Sequence, residues 1–83
     1  MTVLYFAWVK EKVGISEETV ARPADVLTVS NLMDWLANQS SGHATAFVNR
    51  KLIKSAVDQI HVDHTASIEN AREVAFFPPV TGG

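Results

Sequence analysis

The chain has 83 residues with 7 basic against 9 acidic side chains, and its net charge of −2 leaves no electrostatic footprint for nucleic acid. It has no cysteine, which excludes disulfide staples and thiol chemistry of its own, and no run approaches the roughly 18 apolar residues of a membrane span. An apolar share of 47% argues against disorder, so the expectation is one small cytoplasmic domain, near the size at which a single core is barely sufficient.

Thr2 to Val9 is almost wholly apolar and rich in β-formers, and it predicts a strand. By period-two logic Val3, Tyr5, Ala7 and Val9 face the core, while Leu4, Phe6 and Trp8 face outward. Burial on both faces, or the opposite face assignment, is the alternative for so short an apolar run. Lys10 to Gly14 is a polar turn, and Glu18 to Arg22 alternates as a second strand that Pro23 ends. Val29, Leu32, Met33 and Leu36 fall at i, i+3, i+4 and i+7, an amphipathic helix with Thr28 as N-cap and Ser40-Ser41-Gly42 as its end. Its stripe suits core packing rather than a partner.

Ala44 to Val48 is a second apolar stretch, interrupted by Asn49-Arg50-Lys51. Leu52 to Val57 and Ile60 to Val62 are strand candidates joined by an Asp58-Gln59 turn. At the Glu69-Asn70-Ala71 turn, Asn70 is the candidate for a left-handed conformation. Glu73 to Phe77 is the final strand, with Val74 and Phe76 on one face and Ala75 and Phe77 on the other. The order implies an α+β fold of ββαβ(β)β plan, one mixed sheet packed on one main helix. If the first and last strands pair in parallel, Phe6, Trp8 and Phe77 form one outward apolar patch.

The domain is expected over residues 1–77, followed by an extended tail over 78–83. Of 4 glycines, two are Gly82 and Gly83, a terminal pairing with a chance frequency of roughly 0.5%. Pro78 and Pro79 cannot donate to a ladder, so they end the strand and favour an extended path. Val80, Thr81, Gly82 and Gly83 then reach about 13 Å beyond it. Without side chains, the glycine pair passes a narrow channel, which suits a carboxylate presented to another protein. An inert frayed terminus is the plain alternative, and it leaves the proline spacer unexplained.

Other chemistry is sparse. His61 and His64 are separated by two residues, a weak zinc signal without cysteine, and His43 stands alone, so no metal is expected and exposed histidines are the default. Asp58, Asp63 and Glu73 form no evident acid–base pair, and no phosphate-binding glycine loop occurs.

The ending Glu73-Val74-Ala75-Phe76-Phe77-Pro78-Pro79-Val80-Thr81-Gly82-Gly83 resembles that of the molybdopterin synthase sulfur carrier subunits, small ubiquitin-like β-grasp proteins. Val3 to Ala7 with Val9-Lys10-Glu11 and Val13-Gly14 is similar to their first strand and turn, and Ala56 to Gln59 to their middle strand. The chain departs from them at Asp58, where asparagine is usual, and at Ala71-Arg72, where Gly-Asp precedes the last strand.

The resemblance implies a carrier that is not catalytic alone and holds no permanent cofactor. An E1-like adenylyltransferase would consume ATP to adenylate Gly83, and sulfur from a persulfide donor would displace AMP to leave a thiocarboxylate. The synthase large subunit, in a two-plus-two heterotetramer, would accept the tail and build the molybdopterin dithiolene from cyclic pyranopterin monophosphate. By position, Gly82 permits passage, Val80 and Thr81 line the channel, and Phe6, Trp8, Phe77, Pro78 and Pro79 contact partners. Carriers for thiamine synthesis, tRNA thiolation or cysteine synthesis, ubiquitin-like modifiers and a plain interaction domain are the alternatives.

Overall fold

In a computed structural model of the chain, residues 1–79 are described. Five strands, β1 (Thr2–Tyr5), β2 (Glu17–Thr19), β3 (Lys54–Val57), β4 (Ile60–Val62) and β5 (Glu73–Phe77), form one sheet in the order β2-β1-β5-β3-β4. β1 and β5 pair in parallel, with Val3 opposite Val74 and Tyr5 opposite Phe76, while the other pairings are antiparallel. The parallel pairing inferred from the sequence is therefore present.

Three helices, α1 (Ala7–Val13), α2 (Val29–Ala37) and α3 (Ser41–Ala46), accompany the sheet, with a 3-10 turn at Arg50–Leu52. The expected strand over Thr2 to Val9 is thus half right. Ala7 adopts φ 51°, which swings the chain out of the sheet, and the remainder winds into α1. Val9 and Val13 then stand one helical turn apart, with Val9 fully buried, and Gly14 closes the helix in the left-handed conformation at φ 98°. Lys10 and Lys12 in the last turn complement the helix dipole.

The α2 stripe behaves as its spacing demands. Val29, Leu32, Met33 and Leu36 are all fully buried, and Thr28 Oγ1 accepts the Asn31 amide at 3.1 Å. Ser40 does not end α2; it opens α3, its Oγ accepting the His43 amide at 3.1 Å. Nor does Gly42 serve as a cap. A Cβ there would lie 2.5 Å from the Lys12 carbonyl oxygen, so the glycine lets α3 pack directly on the end of α1.

Val3, Tyr5, Val74 and Phe76 from the two central strands meet α2 and Phe47 in the core. The Phe47 and Phe76 rings pack edge to face at 5.1 Å, and Tyr5 stacks on Phe76 at 6.4 Å. The β3–β4 turn places Asp58 at φ 49° and Gln59 at φ 70°, as a two-residue hairpin loop requires. These two, rather than Asn70, take the left-handed conformation. Asp58 also accepts the amides of Arg72 and Glu73 through Oδ1, each at 3.0 Å, which ties the turn to the entry of β5.

Candidate functional site: the tail root and the outer sheet face

β5 stops at Phe77, and Pro78 and Pro79 follow outside any strand, both half-buried. Val80, Thr81, Gly82 and Gly83, on which the expected chemistry falls, lie outside the described residues. The surface around Phe77 is well defined. Strand pairing puts Leu4, Ala75, Ala56 and His61 in one row across the outer face, and sets Phe77 beside Lys54 in the next. The His61 and Phe77 rings lie 5.1 Å apart.

Phe6 is 47% exposed. Its extended backbone points its side chain opposite to Tyr5, onto the same outer side as Phe77, and its amide donates to the Phe76 carbonyl at 3.0 Å. Phe6 and Phe77 thus each stand one step beyond the paired Tyr5 and Phe76. Trp8 does not join them as expected. It lies on α1, half-buried and packed against the core, because the turn at Ala7 breaks the strand alternation.

On the inner face, Glu18 sits opposite Val3 and organises a polar network. The Tyr5 hydroxyl donates to Glu18 Oε2 at 2.7 Å, and His43 Nε2 lies 2.7 Å from the same oxygen. The other ring nitrogen of His43, Nδ1, is 2.7 Å from Ser40 Oγ. His43 is consequently buried, at 7% exposure, and departs from the expected exposed histidine.

Desolvation acts most strongly on Glu18 and pushes its carboxyl up, but the Tyr5 and His43 hydrogen bonds with the His43 charge outweigh it and hold the carboxyl below its ordinary range. Burial, reinforced by Glu18, raises the Tyr5 phenol far above its usual value. The network joins β1, β2 and α3. It is a staple, with every buried side-chain polar atom among the described residues satisfied.

Two features of the outer face escaped sequence reasoning. Lys54 beside Phe77 and the His61 ring tilted against it follow from the β3–β5 and β3–β4 registers, and a register is set by pairing rather than by composition. His64 is fixed differently, with Nε2 2.9 Å from the Ile53 carbonyl oxygen. Among the described residues, no group of three or more histidines, aspartates and glutamates gathers as a metal site. Within the same residues, no helix is long and apolar enough to cross a membrane.

A mixed sheet of this order, its parallel central pair covered by helices on one side, defines the ubiquitin-like β-grasp class. The crystal structure of SAMP1 from Haloferax volcanii superposes with a TM-score of 0.72 at 25% identity, covering 100% of this chain and 98% of that one. Within this class the chain belongs to the ThiS family, whose model matches residues 3–83. The molybdopterin synthase sulfur carrier subunit of Escherichia coli (strain K12) is 46% identical over 81 residues, covering 98% of this chain and 96% of that protein. Its namesake from Haemophilus influenzae is 32% identical over 83 residues, 100% of this chain and 99% of that one. A third, from Mycosarcoma maydis, is 33% identical over 85 residues, 98% and 90% of the respective chains.

Proposed function

We infer that this chain is a sulfur carrier for molybdenum cofactor biosynthesis, working as the small subunit of a molybdopterin synthase. The observation that carries this reading is the near full-length match to sulfur carrier subunits from two bacteria and Mycosarcoma maydis, the nearest in sequence of these at 46% identity. The catalytic large subunit is the implied partner.

The chemistry proposed for the tail follows from what a carboxylate can and cannot do. Loss of oxide from a carboxylate is prohibitive, so Gly83 first attacks the α-phosphorus of ATP on an E1-like enzyme. Pyrophosphate leaves and a mixed anhydride with AMP remains. A persulfide sulfur then attacks the glycyl carbonyl, and AMP departs with the C–O bonding pair. Reductive cleavage of the S–S bond by a thiol leaves a thiocarboxylate on Gly83 and a disulfide on the donor side. The thiocarboxylate is a soft nucleophile that is ionised at neutral pH, and it needs no cysteine in the carrier.

In the large subunit, the tail delivers that sulfur to cyclic pyranopterin monophosphate. A dithiolene has two sulfurs, so two charged carriers are consumed per product and each regains its carboxylate by hydrolysis. No resident cofactor is required of the carrier. Gly82 gives close passage, Val80 and Thr81 occupy the channel, and Pro78 and Pro79 hold the tail away from the sheet. Phe6 and Phe77 offer the apolar anchor from which it departs. Because charging and delivery use this one face, the two complexes exclude each other.

The test is the intact mass of the protein after incubation with ATP, a sulfur donor and its cognate E1-like enzyme. Replacement of one oxygen by sulfur, localised to Gly83, is the expected result. An unchanged mass with an enzyme of proven activity overturns the reading, and adducts joined through Gly83 to lysine would identify a protein modifier instead.

A further inference from the structure

The surface beside the tail root is cationic in a chain that is acidic overall. Arg50, Lys51 and Lys54 are three of its 7 basic side chains, against a net charge of −2. Together with His61, His64 and Phe77 they line a shallow concavity of about 710 Å³. The charges are not equally available. Arg50 forms an ion pair with Asp34, whereas Lys51 and Lys54 are exposed and have no ion-pair partner among the described residues. Asp63, the acid on the rim, is engaged by the Thr65 amide and hydroxyl.

Position gives these lysines a use. Lys54 pairs with Phe77 across the β3–β5 ladder, so its stem lies on the outer face one strand from where the tail leaves. A protein that takes up residues 80–83 comes within about 13 Å of Pro79, the reach of four extended residues. It therefore overlies the concavity, whose wall includes Phe77.

We propose that Lys51 and Lys54 dock against carboxylates that surround the tail entrance on the synthase large subunit. This rests on the sulfur-carrier reading and gives its partner surface a charge. The concavity is ill suited to holding a small anion. Its one guanidinium is already neutralised, and exposed ammonium groups on flexible stems act as point charges without a preformed cage. Such charges act mainly on the rate and orientation of encounter.

The experiment is stopped-flow association of the full chain with its cognate large subunit at about 50 and 500 mM NaCl, where the screening length falls severalfold. Expected is a wild-type association rate that drops at least about tenfold with salt. The Lys51→Glu/Lys54→Glu variant should associate at least about tenfold more slowly at low salt and lose most of that salt dependence. Its urea midpoint should match the wild type, because neither lysine is buried.

A variant with the wild-type rate and salt slope overturns the inference, and faster association would show a basic entrance instead. Inorganic phosphate that shifts the Lys54, His61 and His64 amide resonances, with association untouched by charge reversal, would reassign the concavity to a small anion. If the wild type forms no complex at either salt, the sulfur-carrier reading fails and takes this inference with it. A complex indifferent to both salt and charge reversal sinks the docking inference alone.

Discussion

Replacing Glu18 by alanine tests the inner network most directly. Glu18 Oε2 takes the Tyr5 hydroxyl and His43 Nε2, each at 2.7 Å, and both partners lie in the interior at 1% and 7% exposure. The substitution leaves two buried polar groups without their acceptor, at about 1–3 kcal/mol each. Water can reach the vacated position in part, since the Glu18 side chain is 25% exposed, and a total of about 2–4 kcal/mol is expected. That is a large fraction of the roughly 5–15 kcal/mol that holds a typical domain together. Urea denaturation at neutral pH, followed by far-UV circular dichroism, reads it directly.

A double-mutant cycle isolates the pair. Tyr5→Phe should cost about 0.5–1.5 kcal/mol in the wild type, and once Glu18 is gone it should restore part of the loss, because it removes the hydroxyl left without an acceptor. The pH dependence has a fixed sign. Glu18 is held below the ordinary carboxylate range when folded, so its contribution is complete above that range and is lost as pH falls through the folded value. Glu18→Ala should lack this component of acid destabilisation. A loss under about 0.5 kcal/mol, with an unchanged acid profile, would show that the network is incidental to stability.

The outer face and the helix contact make two further tests. Phe77→Ala should weaken the complex with the large subunit by about 1–2 kcal/mol in calorimetric titration while the free domain keeps its fold, because Phe77 is only half-buried; unfolding of the isolated variant would return Phe77 to the core. Gly42→Ala should lower stability by about 1–3 kcal/mol, since the added methyl meets the Lys12 carbonyl at 2.5 Å and α1 and α3 must part. A melting temperature equal to wild type would mean that the helices separate freely.

The strands that end at the tail were legible because composition and pattern agree there. Glu73 to Phe77 is β-rich, bounded by a turn and two prolines, and its expected bounds match β5. The α2 stripe was equally plain, with spacing and Thr28 cap consistent. Residues 7–13 were misread because Trp8 and Val9 favour strands locally, and the left-handed step at Ala7 leaves no signature in side-chain type. Gly14 and the Val9–Val13 spacing were the available signals for a helix. α3 is too short for a full periodic pattern, and Ser40-Ser41-Gly42 reads equally as an end or a beginning. The Glu18–His43 contact joins residues 25 apart in sequence, and only the assembled sheet and helix bring them together.

The position of β5 has a consequence for when this protein becomes usable. Of the five strands it is the last to be synthesised, yet it lies in the middle of the sheet, between β1 and β3. Thr2 pairs early with Thr19 on one side, but its parallel partner on the other is Glu73, so a nascent chain on the ribosome cannot complete its sheet until nearly all of it has emerged. Pairings this distant in sequence are slow to form. Maturation is thereby ordered: the strand that runs into Pro78 and Pro79 is the one that seals the fold, and a chain cut short before it lacks the centre of its sheet.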